Sequence, residues 1–411
     1  MRYIINEQLF MRRPPEGPLA VHVRPFGKWA FEQGYSKYRV DHRVVLAAGF
    51  SQWLGRKGIC AREVGSEHPA QYLRHRWRQK QVDRGDNPAL KQFLEFLRRG
   101  GIVGAEKAEF GPVTPVGKCV RAFETYLQDQ RALASTTISQ YTRCIGVFLT
   151  KRFGKQAVRL DRLRAEDVFE FVRQESLSTH FTHGKRVTTS LRSFFQFARY
   201  RGFITADLAA AVPKVAGWSM TGIPRAIAPV EIRKLLLSID RRHAKGRRDY
   251  AILLLLARLG MRSGEITRLD LDDIDWNSGS LKVRGKGRET ILPLPQDVGG
   301  AIVEYLRHGR PPTTSRRLFL RSKAPFRGFR DSTVIAGIVR YAIERAGVQS
   351  PTHGAHQFRH ALASQMLRHG GSLKEIGELL GHRSVQTTTI YAKVDIPALR
   401  MLALHWPGGA Q

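Results

Sequence analysis

The sequence predicts a mainly α-helical protein that ends in a mixed domain with a small antiparallel β-sheet. Three observations carry that fold class. Much of the 411-residue chain falls into stretches with apolar residues three and four apart, the period of a helix. One stretch, "LKVRGKGRETILPLP", reads as two short strands around a Gly-Lys-Gly turn. Two others, "EFGPVTPVG" and "VPKVAGWSMTGIPRAIAP", are rich in Pro and Gly, lack a period, and divide the chain into three parts.

The elements follow in order. Residues 1–113 form a basic helical extension whose blocks echo the next part. "NPALKQFLEFLRRGGIV" lines up with "VTTSLRSFFQFARYRGFI", so that Phe93, Leu94 and Phe96 fall on Phe194, Phe195 and Phe197. Upstream, "GFSQWLGRKG" resembles "GVFLTKRFGK", and "HPAQYLRHR" resembles "AEDVFEFVR". Blocks in the same order suggest a diverged repeat of one helical module. Residues 114–213 hold four helical patterns: 116–130, "TTISQYTRCIGVFLTKRFG" with Ser135 or Thr136 as its cap, "RAEDVFEFVRQ", and "KRVTTSLRSFFQFARYRGFI". Residues 214–229 are a linker.

In residues 230–395, "PVEIRKLLLSI" and "RRDYAILLLLARLG" read as helices, the second ended by Gly260. After the hairpin, "AHQFRHALASQMLRHGG" is a long helix closed by glycines. In "SLKEIGELLGHRSVQTTTIYAK", Ser372 and Glu375 form a capping box, Ile376, Leu379 and Leu380 give an apolar stripe, and Gly381 stops the helix. Residues 396–411 read as a short tail helix, with Pro397 in its first turn and Leu399, Leu402 and Trp406 as its stripe.

Charge narrows the partner. Lys and Arg number 68 against 35 Asp and Glu, a formal net charge of +33. Residues 1–113 carry +9, residues 114–213 carry +8 and residues 214–411 carry +16. That spread excludes a basic tail on an ordinary domain. It suits a protein that encloses a polyanion, with counterion release driving affinity; RNA and a membrane surface stay open at this point. Cys60, Cys119 and Cys144 have no paired spacing and make neither a disulfide framework nor a zinc site. The N-terminus lacks a signal-peptide core, and the longest apolar run, "AILLLLA", is far too short to span a bilayer. The expectation is a soluble cytoplasmic protein.

Chemistry-bearing residues lie at the ends of these elements. Arg262 follows the close of a buried helix, with Ser263 and Glu265 opening the next, which would hold it rigidly enough to clamp a phosphate. Lys286 sits at the hairpin tip. His356 and Arg359 are three apart and share a helix face. His382 lies just past a helix end, nine residues before Tyr391. Each alone reads as an ordinary core or surface residue; their order and spacing together do not.

The chain resembles the tyrosine recombinase (phage integrase) family, of the Xer-like type, over residues 114–395. The resemblance rests on "GMRSGEITRL", "GKGRETILPLP", "HQFRH", "LLGHRS" and "TTTIYAK" in the family's order. It implies that Arg262 is the first catalytic arginine, Lys286 the hairpin lysine, His356 and Arg359 the His-x-x-Arg pair, His382 the late histidine and Tyr391 the nucleophile. The turn after "GKG" is slightly shorter than usual, which leaves Lys282 and Arg288 as neighbouring candidates for the lysine's place.

The resemblance further implies a C-shaped clamp on double-stranded DNA. Residues 114–213 would be the core-binding SAM-like module and 230–395 the catalytic domain. The expected activity is site-specific cleavage and rejoining through a 3′-phosphotyrosyl intermediate, for integration or transposition of a mobile element. No metal, cofactor or ATP is expected. The expected assembly is a homotetramer on synapsed sites, nucleoid-associated, with other recombinase subunits admitted as partners.

Elementary chemistry agrees with that assignment. Two fixed guanidiniums can hold the non-bridging oxygens of a five-coordinate phosphorus without a metal. A phenol ionises near pH ~10, so Tyr391 needs help, and His356 is the best placed to give it. Lys286 can protonate the departing 5′ oxygen, and His382 can donate to the phosphate.

Other readings fit less well. His356 and His360 have the spacing of a zinc pair, but no glutamate lies between them to activate water. Glu265 and the acids of "LDLDDID" could suggest a metal-dependent nuclease; a solvated turn with a structural Glu265 explains them better. A type IB topoisomerase shares much of the chemistry but not the Xer-like blocks. The alternative function is a DNA-binding accessory protein of a multi-recombinase system.

Overall fold

The computed structural model describes residues 14–78, 82–104, 114–177, 181–214, 223–285, 289–382, 384–394 and 399. The chain divides into two compact units, one of residues 1–107 with 222–411 and one of residues 108–221. The first unit opens with four helices, α1 (Ala20–Glu32), α2 (Lys37–Arg56), α3 (His68–Trp77) and α4 (Asp86–Arg99). Their apolar stripes close on a core of their own, in which Val23, Phe26, Phe50, Phe93 and Leu97 are buried. Gly101 takes a left-handed φ of +69°, and Ile102 donates back to the Leu97 carbonyl at 3.0 Å, ending α4.

The second unit comprises α5 (Pro115–Asp129), α6 (Ser135–Phe153), α7 (Ala165–Leu177), α8 (Phe181–Tyr200) and α9 (Leu208–Ala211). Thr114 caps α5 by accepting from the Gly117 amide at 3.0 Å, and Pro115 fills the first helical position. α6 differs from expectation, since neither Ser135 nor Thr136 caps it. The helix already starts at Ser135, and the carbonyl of extended Ala134 takes the Thr137 and Ile138 amides at 2.8 and 3.0 Å. Phe123, Phe148, Leu191 and Phe194 form a separate core.

The mixed part returns to the first unit. It runs α10 (Pro229–Leu237), α11 (Ala244–Leu259), α12 (Ser263–Ile266), β1 (Ile274–Asp275), β2 (Ser280–Arg284), β3 (Glu289–Pro293), α13 (Gln296–His308), α14 (Thr333–Ala346), α15 (His356–Arg368), α16 (Leu373–Leu380) and α17 (Val385–Thr388), then a 3-10 turn (Thr389–Val394). α11 is its central element. Residues 251–256 are all buried, because the helix is apolar on every side and packs against neighbours all round. The expected hairpin is present: β1, β2 and β3 pair antiparallel in that order, with Leu281 opposite both Ile274 and Leu292, and Arg284 opposite Glu289 at the turn. The fold class is therefore mainly α with a small antiparallel sheet.

The acidic run is only in part the solvated turn expected of it: Asp272 and Asp275 are exposed, but the run is also tied down by arginines. Asp273 is buried and meets Arg284 at 2.7 Å, Asp270 meets Arg317 at 3.2 Å, and Asp272 pairs with Arg316. Arg316 and Arg317 lie more than forty residues along the chain, so they are not visible as partners in a local reading. The network ties the base of the hairpin to the segment before α14 and leaves the carboxylates spoken for. The expected tail helix lies outside the described residues except for Leu399, which is helical and exposed.

One joint links the N-terminal helices to the mixed part. Phe326 donates its amide to the Gln33 carbonyl at 3.0 Å, and Ala324 packs on the N-terminal core. The Phe326 ring fills the space beside Gly34, where an added Cβ would stand 2.1 Å from it; Gly34 also holds φ at +85°. Gly34→Val should therefore destabilise by more than about 1 kcal/mol in urea unfolding, from backbone strain plus the clash. Adding Phe326→Ala should recover the steric part only, and full recovery would show that the backbone is unstrained.

Candidate active site

Of the six residues expected at the site, Arg359, Arg262, His382 and Tyr391 gather at the ends of two helices, with His356 beside the arginines. α11 ends at Gly260 with φ +58° and α16 at Gly381 with φ +59°. Only glycine adopts such angles freely, so both chains turn sharply and leave their last carbonyls pointing out. Arg359, buried on α15, donates to the Gly260 carbonyl at 2.8 Å and to the Leu380 carbonyl. It thus joins the two helix ends through one guanidinium. Arg262 donates to the Gly381 carbonyl at 3.3 Å and to the Glu265 carboxylate at 2.8 Å, while Glu265 also accepts the Arg262 amide. Glu265 is structural, as expected; it holds Arg262 in place.

His356 opens α15 one turn before His360, with ring centroids 6.4 Å apart. His382 follows Gly381 and bonds the Thr388 hydroxyl at 2.7 Å through Nδ1. The capping box of Ser372 and Glu375 is formed, fixing the start of the helix whose end carries His382. Tyr391 is 1% exposed, in a small core with Ala363, Ile376 and Leu380. Its ring lies parallel to that of His382, 6.4 Å away.

The hydroxyl of Tyr391 is bonded to His360 Nδ1 at 3.0 Å, a partner that sequence reasoning weighed only for a zinc pair. The signal was present, since the residue after Arg359 in "HQFRH" is one helical turn from His356. What it touches is a tertiary fact. Lys286 and Arg288 lie outside the described residues. Lys282 is engaged by Glu289 at 2.7 Å, across the strand pair.

Electrostatics follow from burial beside two cations. Burial, then Arg359 and Arg262, pull His356 below its ordinary range, and the same causes in the same order push His382 down to about 4. Both rings are therefore neutral at pH 7 and protonate only in acid. Burial, with Arg262 beside it, lowers Arg359 to about 10, so it stays charged. Burial raises the Tyr391 phenol, against the downward pull of Arg359 and Arg262. The site thus pairs two guanidiniums with neutral imidazoles around an un-ionised phenol. It is built to meet an anion with fixed positive charge.

Two stretches match family models: residues 225–396 the phage integrase family, and residues 120–202 the phage integrase N-terminal SAM-like domain. The chain is 50% identical to y4rA of Sinorhizobium fredii, which carries an integrase/recombinase name, over the full length of both. The chain belongs to the phage integrase family, the tyrosine recombinases.

Tyrosine recombinase XerC of Thermodesulfovibrio yellowstonii is 31% identical over 67% of this chain and 92% of its own. The structure of XerH recombinase bound to difH DNA after cleavage matches with a TM-score of 0.55 at 20% identity, over 77% of this chain and 94% of that one. Members of this family cleave and rejoin DNA through a phosphotyrosine intermediate, and this chain is a site-specific recombinase of that type. Among the described residues no helix is long and apolar enough to cross a membrane.

The histidines give a direct check on the recombinase site. In the DNA-free protein, NMR titration should find His382 protonating with a midpoint near 4, and His356 below 6.5. A His382 midpoint at or above the ordinary ~6.5 of a solvated imidazole would mean that the ring is not buried beside the arginines.

Proposed function

We propose that this recombinase integrates or transposes a mobile DNA element, with Arg262, Lys286, His356, Arg359, His382 and Tyr391 as its catalytic residues. The observation that supports the assignment best is the convergence of Arg359, Arg262, His382 and Tyr391 on the two glycine-ended helices. The integrase assignment draws on relatives. The chain shares its whole length with y4rA, whereas the XerC relative leaves about a third of it unmatched.

In the proposed reaction Arg262 and Arg359 hold the non-bridging oxygens of the scissile phosphate, joined by a hydrogen bond from His382. The Tyr391 oxygen attacks phosphorus and its proton passes to His356, which is neutral and able to accept it. The bond from phosphorus to the 5′ oxygen breaks, and Lys286 protonates that oxygen. The DNA is left joined to Tyr391 through its 3′ phosphate. A 5′ hydroxyl from the second duplex then attacks the phosphotyrosine, and every proton returns along the same route.

In the resting arrangement the phenol is buried and bonded to His360 rather than to His356. Attack requires Tyr391 to leave that bond and turn toward the phosphate. His360 is thus a positioning residue, which stores the nucleophile until DNA and a neighbouring protomer are in place. A suicide substrate with a nick beside the cleavage point tests these roles together. Tyr391→Phe should bind DNA normally and form no covalent adduct. Lys286→Ala should slow adduct formation steeply on ordinary DNA but recover on a 5′-bridging phosphorothiolate, whose sulfur leaves without a proton. Equal loss on both substrates would move the acid role to Lys282 or Arg288. Adduct in Tyr391→Phe would end the assignment of the nucleophile.

Assembly is proposed to be a tetramer on two paired sites. In the sequence, Leu399, Leu402 and Trp406 after Tyr391 recur at helical spacing, and a helix that short is not stable in water unless its apolar stripe finds a partner. Docking on a neighbouring protomer would couple each nucleophile to its neighbour's presence. Truncation after Lys393 should leave single-site binding intact and abolish pairing of sites. Wild-type pairing by the truncated protein would place the tail on its own catalytic domain.

A further inference from the structure

The N-terminal helices and the middle module repeat each other element by element. α1, α2, a 3-10 turn, α3 and α4 follow the same order as α5, α6, a 3-10 turn, α7 and α8. The match extends to individual core positions. Phe26 and Ala30 correspond to Phe123 and Leu127, 97 positions on, and Ala47 and Phe50 to Ile145 and Phe148, 98 positions on. Tyr72 corresponds to Phe171, 99 positions on, and Phe93 and Leu97 to Phe194 and Ala198, 101 positions on. The offset grows only between helices, where an extra loop residue leaves each packed face undisturbed.

Ring packing repeats too. Phe26 meets Phe93 at 4.8 Å and Phe123 meets Phe194 at 5.3 Å; Trp29 meets Phe96 at 5.7 Å and Tyr126 meets Phe197 at 5.1 Å. Phe50 meets Tyr72 at 5.5 Å and Phe148 meets Phe171 at 5.1 Å. The last helix of each copy ends alike, at Gly101 with φ +69° and Gly202 with φ +70°, each followed by an amide bonded back to the helix. Chance likeness between amphipathic helices yields apolar spacing, but not three matching ring pairs and a matching helix end.

The second copy contains residues 120–202, which match the SAM-like domain of phage integrases; the first copy lies outside that match. We infer that residues 14–104 are a second copy of this module and bind duplex DNA beside the cleavage site. Charge decides for DNA over a protein partner. Arg24, Lys28, Lys37, Arg39, Arg56 and Lys57 are exposed, and among the described residues none has an acidic partner within 4.0 Å. Few large apolar side chains are exposed: Val21 and Phe31 on α1, Tyr38 on α2 and Trp77 on α3. The apolar residues have their own core, so the free surface is cationic, as a phosphate backbone requires.

The full-length protein carries a suitable reporter. Cys60 is exposed, whereas burial pushes the Cys119 and Cys144 thiols up to about 11, so a haloacetyl iron-EDTA reagent at neutral pH labels Cys60. On a duplex with long flanks around the cleavage site, the tethered iron should cut the flank, as should a second tether at Lys28→Cys on α1. Replacing Arg24, Lys28, Lys37, Arg39, Arg56 and Lys57 together with Gln should also flatten the salt dependence of binding, by ~0.9 in log–log slope per lost phosphate contact. Flank cuts absent from both tethers, or an unchanged salt slope, would overturn the inference. Adduct at Tyr391 is scored on the same samples, so failure of this copy to reach DNA is told apart from failure of the recombinase reading.

Discussion

A single guanidinium holds the active site together. Arg359 joins the carbonyl of Gly260 to that of Leu380, and so fixes the ends of α11 and α16 against each other. Everything else at the site is placed relative to those ends. Arg262 and Glu265 follow the first, His382 follows the second, and Tyr391 packs beneath the second on the side chain of Leu380 and its neighbours. Two left-handed glycines make this possible, because a side chain at Gly260 would meet Leu362 and Leu380 at 3.0 Å. In the proposed reaction the same arginine also holds a phosphate. Its donors are partly spent on carbonyls, which keeps its plane rigid and its remaining edge oriented without further ordering on DNA binding.

That arrangement separates readiness from reactivity. In the absence of DNA the two arginines face neutral imidazoles and a phenol whose ionisation burial opposes. Positive charge is in surplus, and an incoming phosphate satisfies it. Ionising the phenol first would also satisfy it, but Tyr391 is buried and bonded to His360. On the proposed assignment, the protein offers its charge to the substrate before it offers its nucleophile. Such an order suits an enzyme whose covalent intermediate is a broken chromosome.

Local features were legible in the sequence and distant ones were not. The Ser372–Glu375 box, the stops at Gly260 and Gly381 and the pairing of β2 with β3 all depend on residues within a few positions of one another. The acidic run was read only in part because its arginine partners Arg316 and Arg317 lie more than forty residues away. In the sequence His360 reads only as half of a zinc-like pair, because its bond to Tyr391 spans 31 residues and depends on how α15 meets the final turn. The repeat was visible only in blocks. Alignment at a nearly constant offset obscures a drift from 97 to 101, and the ring pairs that reveal it join helices far apart in sequence.

The seat of Phe326 beside Gly34 bears on how such a chain can evolve. A module carried as a loose appendage can be exchanged between genes, because nothing in the recipient needs to recognise it. Here the ring of one part occupies the space that any side chain on the other would need. The two positions are far apart in the gene yet form one heritable unit. Shuffling the N-terminal module alone would deliver either a collision or a hole, so lineages of this recombinase should inherit the two ends of the gene together.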